Sequence, residues 1–269
     1  MPLLSLAPPP PLDALVESIW DWQDAPRAHR FERMLPSPRP QLIFNLAEDE
    51  TRVYDEAFGV RRNAGAALDA PSHRSFVIDT AEQVAVTGIV FRAGAAAPFF
   101  RERMDRIVNS HVDLDALAAG DARTLRLRLL EAADGRQRLQ VVHAWLLRAL
   151  GNARPHPAVA HALRLFDASP EIQRIGAIAA HCRMSPRRFG ELFREQVGMS
   201  PKRYARLRRF RRVVAQVHRQ QAVDWAGVAV DCGFHDQPHL AHEFRAFSGM
   251  TPGEYARRQG RWPDHVPLP

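Results

Sequence analysis

The spacing of apolar residues changes period along the chain. Up to about Phe100 they come in short runs broken by proline, at Pro8 to Pro11 and again at Pro36, Pro38 and Pro40, a pattern that stops helices and favours extended chain. Val84 to Arg92, which reads Val-Ala-Val-Thr-Gly-Ile-Val-Phe-Arg, is rich in β-branched residues and is predicted to be a buried strand. The first hundred residues therefore read as mainly β, in short strands that need a second layer to cover them. After Pro98 the period becomes helical. Leu125, Leu129 and Leu130 mark one helix within Asp121 to Ala132, and Leu139, Val142, Leu146 and Leu150 mark a second within Arg136 to Leu150. This helical pair reads either as a dimer seam or interdomain arm, or as two helices packed on their own β domain. Gly151, Asn152, Pro155 and Pro157 then form a helix stop and short linker.

Beyond the linker the chain repeats itself. Ile175, Ile178, Ala179 and Cys182 follow the i, i+3, i+4, i+7 stripe of a one-sided helix, and Trp225, Val228, Ala229 and Cys232 follow it again 50 residues later. Phe189, Phe193 and Arg194 are matched by Leu240, Phe244 and Arg245, now 51 residues on, so the second turn has gained one residue. Each unit closes alike, with Gly198-Met199-Ser200-Pro201 and Tyr204 against Gly249-Met250-Thr251-Pro252 and Tyr255. Ser185, Ser200 and Thr251 each precede a proline, the N-cap and first-turn pairing that starts a helix, and Asp236 can cap the fourth. Gly198 and Gly249 stand where the chain must reverse through left-handed backbone. Each unit thus reads helix, turn, helix, glycine stop, new helix. In a helix-turn-helix the first helix braces the second, whose N-terminal turn enters the major groove.

Between the units, Lys202 to Arg219 sets Leu207, Phe210, Val214 and Val217 on one face and crowds arginines on the rest. A helix here would hold two recognition helices apart, in successive major grooves about 34 Å from each other.

Charge sharpens this picture. The net charge is +7, but from Asn152 onward 19 Lys and Arg stand against 10 Asp and Glu, so +9 falls there and −2 remains for the rest. A basic half joined to a mildly acidic one is the footprint of a nucleic-acid-binding domain attached to something else, although composition alone leaves anionic membranes open. Apolar content of 46% and charged content of 25% are those of a globular protein. With no apolar run near 20 residues and no signal core, the chain reads as cytoplasmic. Cys182 and Cys232 are the only cysteines and read as small buried residues.

The C-terminal hundred residues resemble the AraC/XylS family of transcription regulators. The most specific stretch runs from Cys232-Gly233-Phe234-His235-Asp236-Gln237 through Phe244-Arg245 to Gly249-Met250-Thr251-Pro252-Gly253-Glu254-Tyr255. The resemblance implies an α+β architecture. Residues 1–150 would be a β-rich, cupin-like sensing or dimerisation domain that ends in the helical pair. A linker at 151–157, an all-α double helix-turn-helix domain of seven helices at 158–260 and a tail at 261–269 would follow. Base-reading roles fall on Arg187, Gly190 and Glu191 in the first unit and on Pro238, His239 and His242 in the second. Arg188, Arg194, Arg203, Arg209, Gln237 and Arg245 are the phosphate candidates. Double-stranded DNA is the implied partner, with a small-molecule effector, RNA polymerase and a second copy of the chain as further ones, and no cofactor or membrane. The N-terminal half resembles such sensor domains more loosely, best at Gly88 to Gly94 and Pro98, and Trp20, Trp22, Phe44, Asn45, Phe91 and Arg92 are its effector-binding candidates.

The first unit departs from the family pattern. Arg174 stands where a Ser or Thr cap is usual, Gly176 lies inside a helix at a cost of about 1 kcal/mol, and Arg183 takes a turn position that favours glycine. In the second unit Glu243 replaces the equivalent of Leu192 and, if semi-buried, requires an arginine partner. Two rival classes remain. A metal-dependent cupin enzyme needs paired histidines, whereas His29, His73 and His111 are widely separated; His235, His239 and His242 have metal-compatible spacing but fall on a recognition helix. A non-specific architectural DNA binder needs basic charge alone, whereas two units with different outward residues point to two different half-sites.

Overall fold

In the computed structural model, which describes residues 3–25, 27–117, 122–168 and 175–269, the described strands form two antiparallel sheets. The first runs in the order β1 (Leu4–Leu6), β2 (Val16–Gln23), β9 (Ala85–Phe91), β4 (Gln41–Asn45), β7 (Ala66–Asp69) and β10 (His111–Asp113). The second runs β11 (His265–Pro267), β3 (Phe31–Met34), β8 (Phe76–Asp79), β5 (Glu50–Tyr54) and β6 (Val60–Ala64). Strand β9 is the run expected at Val84 to Arg92. On it Gly88 sits opposite Trp20, where a Cβ would come within 2.3 Å of the indole, so only glycine lets the ring lie against the strand.

One face of the first sheet presents Leu42, Phe44, Leu68, Ile89 and Phe91 to α1 (Ala96–Phe100), α3 (Ala122–Glu131) and α4 (Gly135–Leu150), all in one core. The helical pair therefore packs on its own β domain. A buried ion pair fixes it there: Arg138 on α4 donates to both Asp21 carboxylate oxygens, at 2.7 and 3.0 Å, and Thr87 donates to the same carboxylate at 2.6 Å. Leu130, expected on the apolar face, is instead exposed, together with Leu127 and Leu147.

Helix α2 (Met104–Ile107) follows α1, and the C-terminal half supplies the seven further helices expected of it among the described residues. These are α5 (Pro157–Ala168), α6 (Ile175–His181), α7 (Pro186–Val197), α8 (Pro201–Val217), α9 (Trp225–Asp231), α10 (Gln237–Ser248) and α11 (Pro252–Arg258). Arg174 and its cap position lie outside the described residues. Both units share one core along α8. Phe166, Phe193 and Tyr204 cluster at one end, and Phe210, Phe244, Phe247 and Tyr255 at the other. Each buried aromatic of this kind contributes about 1.5–3 kcal/mol over an exposed one, which is why a domain of short helices can hold its shape.

The segment read as a tail, 261–269, docks on the β domain. Its strand β11 adds to the edge of the second sheet by pairing with β3, Val266 is fully buried in the core of the helical half, and His265 Nδ1 lies 2.7 Å from Glu32. Burial of Val266 and pairing with the edge of the second sheet tie these residues down. The chain thus leaves the β domain at α4 and returns to it through β11.

Candidate nucleic-acid interface

The two units are built by the same local chemistry. Ser185, Ser200, Asp236 and Thr251 each accept from the backbone N–H three residues on, at 3.2, 3.3, 2.7 and 3.2 Å, which starts α7, α8, α10 and α11. Thr251 and Glu254 complete a reciprocal capping box. Gly198 and Gly249 end α7 and α10 with φ of 83° and 73°. The turns before the recognition helices also match. Arg183 and Met184 donate to Ala180 and Ala179 as Gly233 and Phe234 donate to Val230 and Ala229. Gly233 reaches φ 78° without penalty, whereas Arg183 holds φ 54°, the left-handed residue expected at that position.

Phe189, Leu192, Phe193 and Val197 bury one face of α7, and Leu240, Glu243, Phe244 and Phe247 one face of α10. The opposite faces are open. Arg187 has 90% of its side chain exposed and lies 3.2 Å from Glu191, with Arg188 3.8 Å from the same carboxylate. Gly190 leaves a gap beside them that a Cβ would not close. On α10, Gln237, Pro238 and His242 are exposed, while His239 turns its ring edge-on to Phe234 and within 3.3 Å of the His235 amide. Arg194 and Arg245 are exposed in the last turns of their helices.

The arginines of α8 act mainly as struts. Glu243, which needed an arginine, has one: Arg206 donates two hydrogen bonds to it, both 2.7 Å. The carboxyl stays below the ordinary glutamate range because, although burial pushes it up, the Arg206 hydrogen bonds and charge outweigh that effect. Arg208 pairs with Asp167 at 3.0 Å and Arg211 with Asp264 at 3.2 Å. Arg209 is corrected as a phosphate candidate: it is buried, donates to the Gly233 carbonyl and stacks 5.1 Å over Phe234. Arg203 is exposed but directed at the β domain, 2.9 Å from His73. Sequence reading missed these roles because the partners lie up to 130 residues away along the chain.

Both recognition helices end against the β domain. The Gly198 stop approaches the Met104 carbonyl and Pro71, Arg103 pairs with Glu195 at 3.2 Å, and Arg33 donates to the Ser248 carbonyl at 2.9 Å beside Gly249.

The effector-binding residues expected in the β domain do not converge. Phe44 and Phe91 are wholly buried under the helices, Asn45 is buried forming the turn after β4, and Trp22 is buried with its indole N–H on the Gln83 carbonyl; all four are spent on packing. Trp20 borders a small cavity of about 80 Å³ between the sheets. Arg92 lies elsewhere, in a cleft of about 560 Å³ between the β domain and the helical half.

Comparison with known proteins bears on each half. Residues 178–258 match the family model described as a helix-turn-helix domain, and residues 4–113 one described as a domain of unknown function (DUF6597). The HTH-type transcriptional regulator ArgR of Pseudomonas aeruginosa is 28% identical over 142 residues, 51% of this chain and 40% of that protein, so the chain spans less than half the length of this curated relative. Among solved structures, the DNA-binding domain of the global transcriptional factor AdpA, in complex with a target DNA, is 25% identical with a TM-score of 0.35, over 39% of this chain and 100% of that one. Unsaturated fatty acid bound wild-type ToxT from Vibrio cholerae is 9% identical with a TM-score of 0.46, over 94% of both chains.

Proposed function

The C-terminal half of this chain is a double helix-turn-helix domain of the AraC/XylS family, and on that premise we propose that the protein is a sequence-specific DNA-binding transcription regulator. Its recognition helices α7 and α10 enter successive major grooves about 34 Å apart. The observation that carries this reading is the polarity of the two helices: their C-terminal ends are anchored on the β domain while Arg187, Pro238 and His242 stand exposed on their N-terminal halves. Arg187 reads guanine by its planar fork, Glu191 accepts from a cytosine amino group, and His239 and His242 meet base edges from the second unit. Arg188, Arg194, Gln237 and Arg245 hold phosphates and set the register.

In this reading residues 1–150 form the controlling domain, 151–157 the linker and 158–260 the DNA-binding domain. The β domain receives a small-molecule signal, and the exposed Leu127, Leu130 and Leu147 on α3 and α4 give it an apolar face for pairing with a second copy. RNA polymerase is the partner through which bound protein alters transcription.

Selection of bound sequences from a random DNA pool with the full chain tests the reading. A single motif with two half-sites about 10 base pairs apart is expected, at least ~10³-fold preferred over random DNA at physiological salt. Arg187→Ala changes the preferred base at one position. A specificity ratio below that figure, with no enriched motif, overturns the assignment in favour of an architectural role.

A further inference from the structure

We propose that the cleft between the β domain and the helical half is a binding site for a small organic polyanion, a compound bearing two or more carboxylate or phosphate groups. Six arginines line it: Arg39 and Arg92 from the β domain, Arg164 from α5, and Arg208, Arg211 and Arg212 from α8. Three of them are neutralised, Arg39 by Glu17, Arg208 by Asp167 and Arg211 by Asp264. Among the described residues, the other three meet no carboxylate. Arg92 donates only to the Asp13 carbonyl, Arg212 reaches only the Phe166 carbonyl at 3.5 Å, and Arg164 makes no ion pair.

These three unmatched charges come from three different elements, the end of β9 in the β domain and α5 and α8 in the helical half, and converge on one volume of about 560 Å³. That size suits a compact organic molecule. Cations gathered this way repel one another: burial and the neighbouring Arg208 both push the Arg212 guanidinium down from its ordinary value. In addition, Arg211 Nη1 is buried with no hydrogen-bond partner, a donor left over after the bond to Asp264. Tyr204 brings a phenol to the same wall, close enough to feel Arg208, Asp167 and Arg39. Planar guanidinium forks match carboxylate and phosphate oxygens in pairs, and a bound polyanion would relieve the repulsion. It would also tie the β domain to α8, the helix that joins the two units.

This inference deepens the proposed control by a small-molecule signal and rests on that reading. Its test does not use DNA, so it can fail while sequence-specific binding stands. Citrate and inorganic pyrophosphate are titrated separately into the full chain by calorimetry, against sodium chloride of matched ionic strength. At least one is expected to bind with one-to-one stoichiometry. Arg92→Gln on the β side and the double variant Arg164→Gln/Arg212→Gln on the helical side should each weaken that binding at least tenfold while keeping wild-type urea midpoints. No binding beyond the chloride control overturns the proposal, as does binding that survives both variants. Loss in only one variant places the anion on a single domain and overturns the interdomain site. A tenfold loss of DNA affinity in anion-free buffer for the double variant would show that these arginines hold DNA phosphates and would also overturn it.

Discussion

Removing Arg206 should damage the second unit far more than removing Glu243, although the two form one ion pair. Glu243 retains 8% of its side-chain exposure and Arg206 retains 34%, so the burden of burial is unequal. Arg206→Met strands a carboxylate at the base of α10. Breaking a buried pair costs about 3–5 kcal/mol, and the half-open arginine side lowers that to roughly 2–3 kcal/mol here. Glu243→Leu instead gives the second unit the residue that the first has at Leu192, itself 8% exposed, while Arg206 turns to water; its cost should stay under about 1 kcal/mol. The double variant should lie near the wild type, for a coupling of roughly 2 kcal/mol. Urea unfolding of the four proteins at pH 7 measures this. The deficit of Arg206→Met should also shrink as pH falls, beginning above the ordinary glutamate range, because burial no longer offset by Arg206 lets a stranded Glu243 take up a proton early. Equal losses for the two single variants, or additive losses in the double, would refute the claim that the strut exists to neutralise a buried charge.

Three further outcomes follow from particular residues. Arg183→Gly should raise stability by about 1 kcal/mol, because glycine holds the left-handed turn without strain as Gly233 does; the urea midpoint reports it. Arg209→Ala should destabilise by roughly 2 kcal/mol through lost packing on Phe234 yet leave the salt dependence of DNA binding unchanged, and a slope reduced by about one unit would return Arg209 to the phosphate contacts. Glu32 is held at about 2: burial pushes it up, but His265, His29 and Arg27 outweigh that. A lowered carboxyl stabilises the fold above its unfolded value and loses that contribution as pH falls through the folded one. The advantage of wild type over Glu32→Gln, roughly 2–3 kcal/mol at pH 7, should therefore fade between about pH 4.5 and 2, and a difference constant across that range would contradict it.

What was legible beforehand was local. Caps, glycine stops and the one-sided stripes of α6, α7, α9 and α10 are written within a dozen residues, and their repetition at a spacing of 50 to 51 made the architecture readable without any tertiary contact. The illegible parts are those that depend on distant partners. Arginines on α8 looked like a basic face because period alone cannot reveal that Asp167, Glu243 and Asp264 lie within reach. Phe44 and Phe91 fell among the effector-binding candidates for a related reason: alternation along β4 and β9 says that a face is buried, not what covers it. Phe44 and Phe91 belong to the face under the helices, whereas Trp20 borders the space between the sheets.

The strand β11 changes how the two halves must work together. Because the chain crosses from β domain to helices at 151–157 and recrosses at β11, the helical half is held at both of its ends, not hung from one flexible linker. Between those attachments, the β domain also meets the glycine stop of each recognition helix, at Gly198 through Met104 and Pro71 and at Gly249 through Arg33. Moving the β domain against the helices therefore strains both units at once, whereas a single linker would transmit nothing but proximity. In the proposed regulator this makes the spacing of α7 and α10, the quantity that successive grooves select, the property a signal in the β domain can alter. Severing the strap with Val266→Asp, which puts a charge into the shared core, should then uncouple signal from DNA affinity even where binding itself survives.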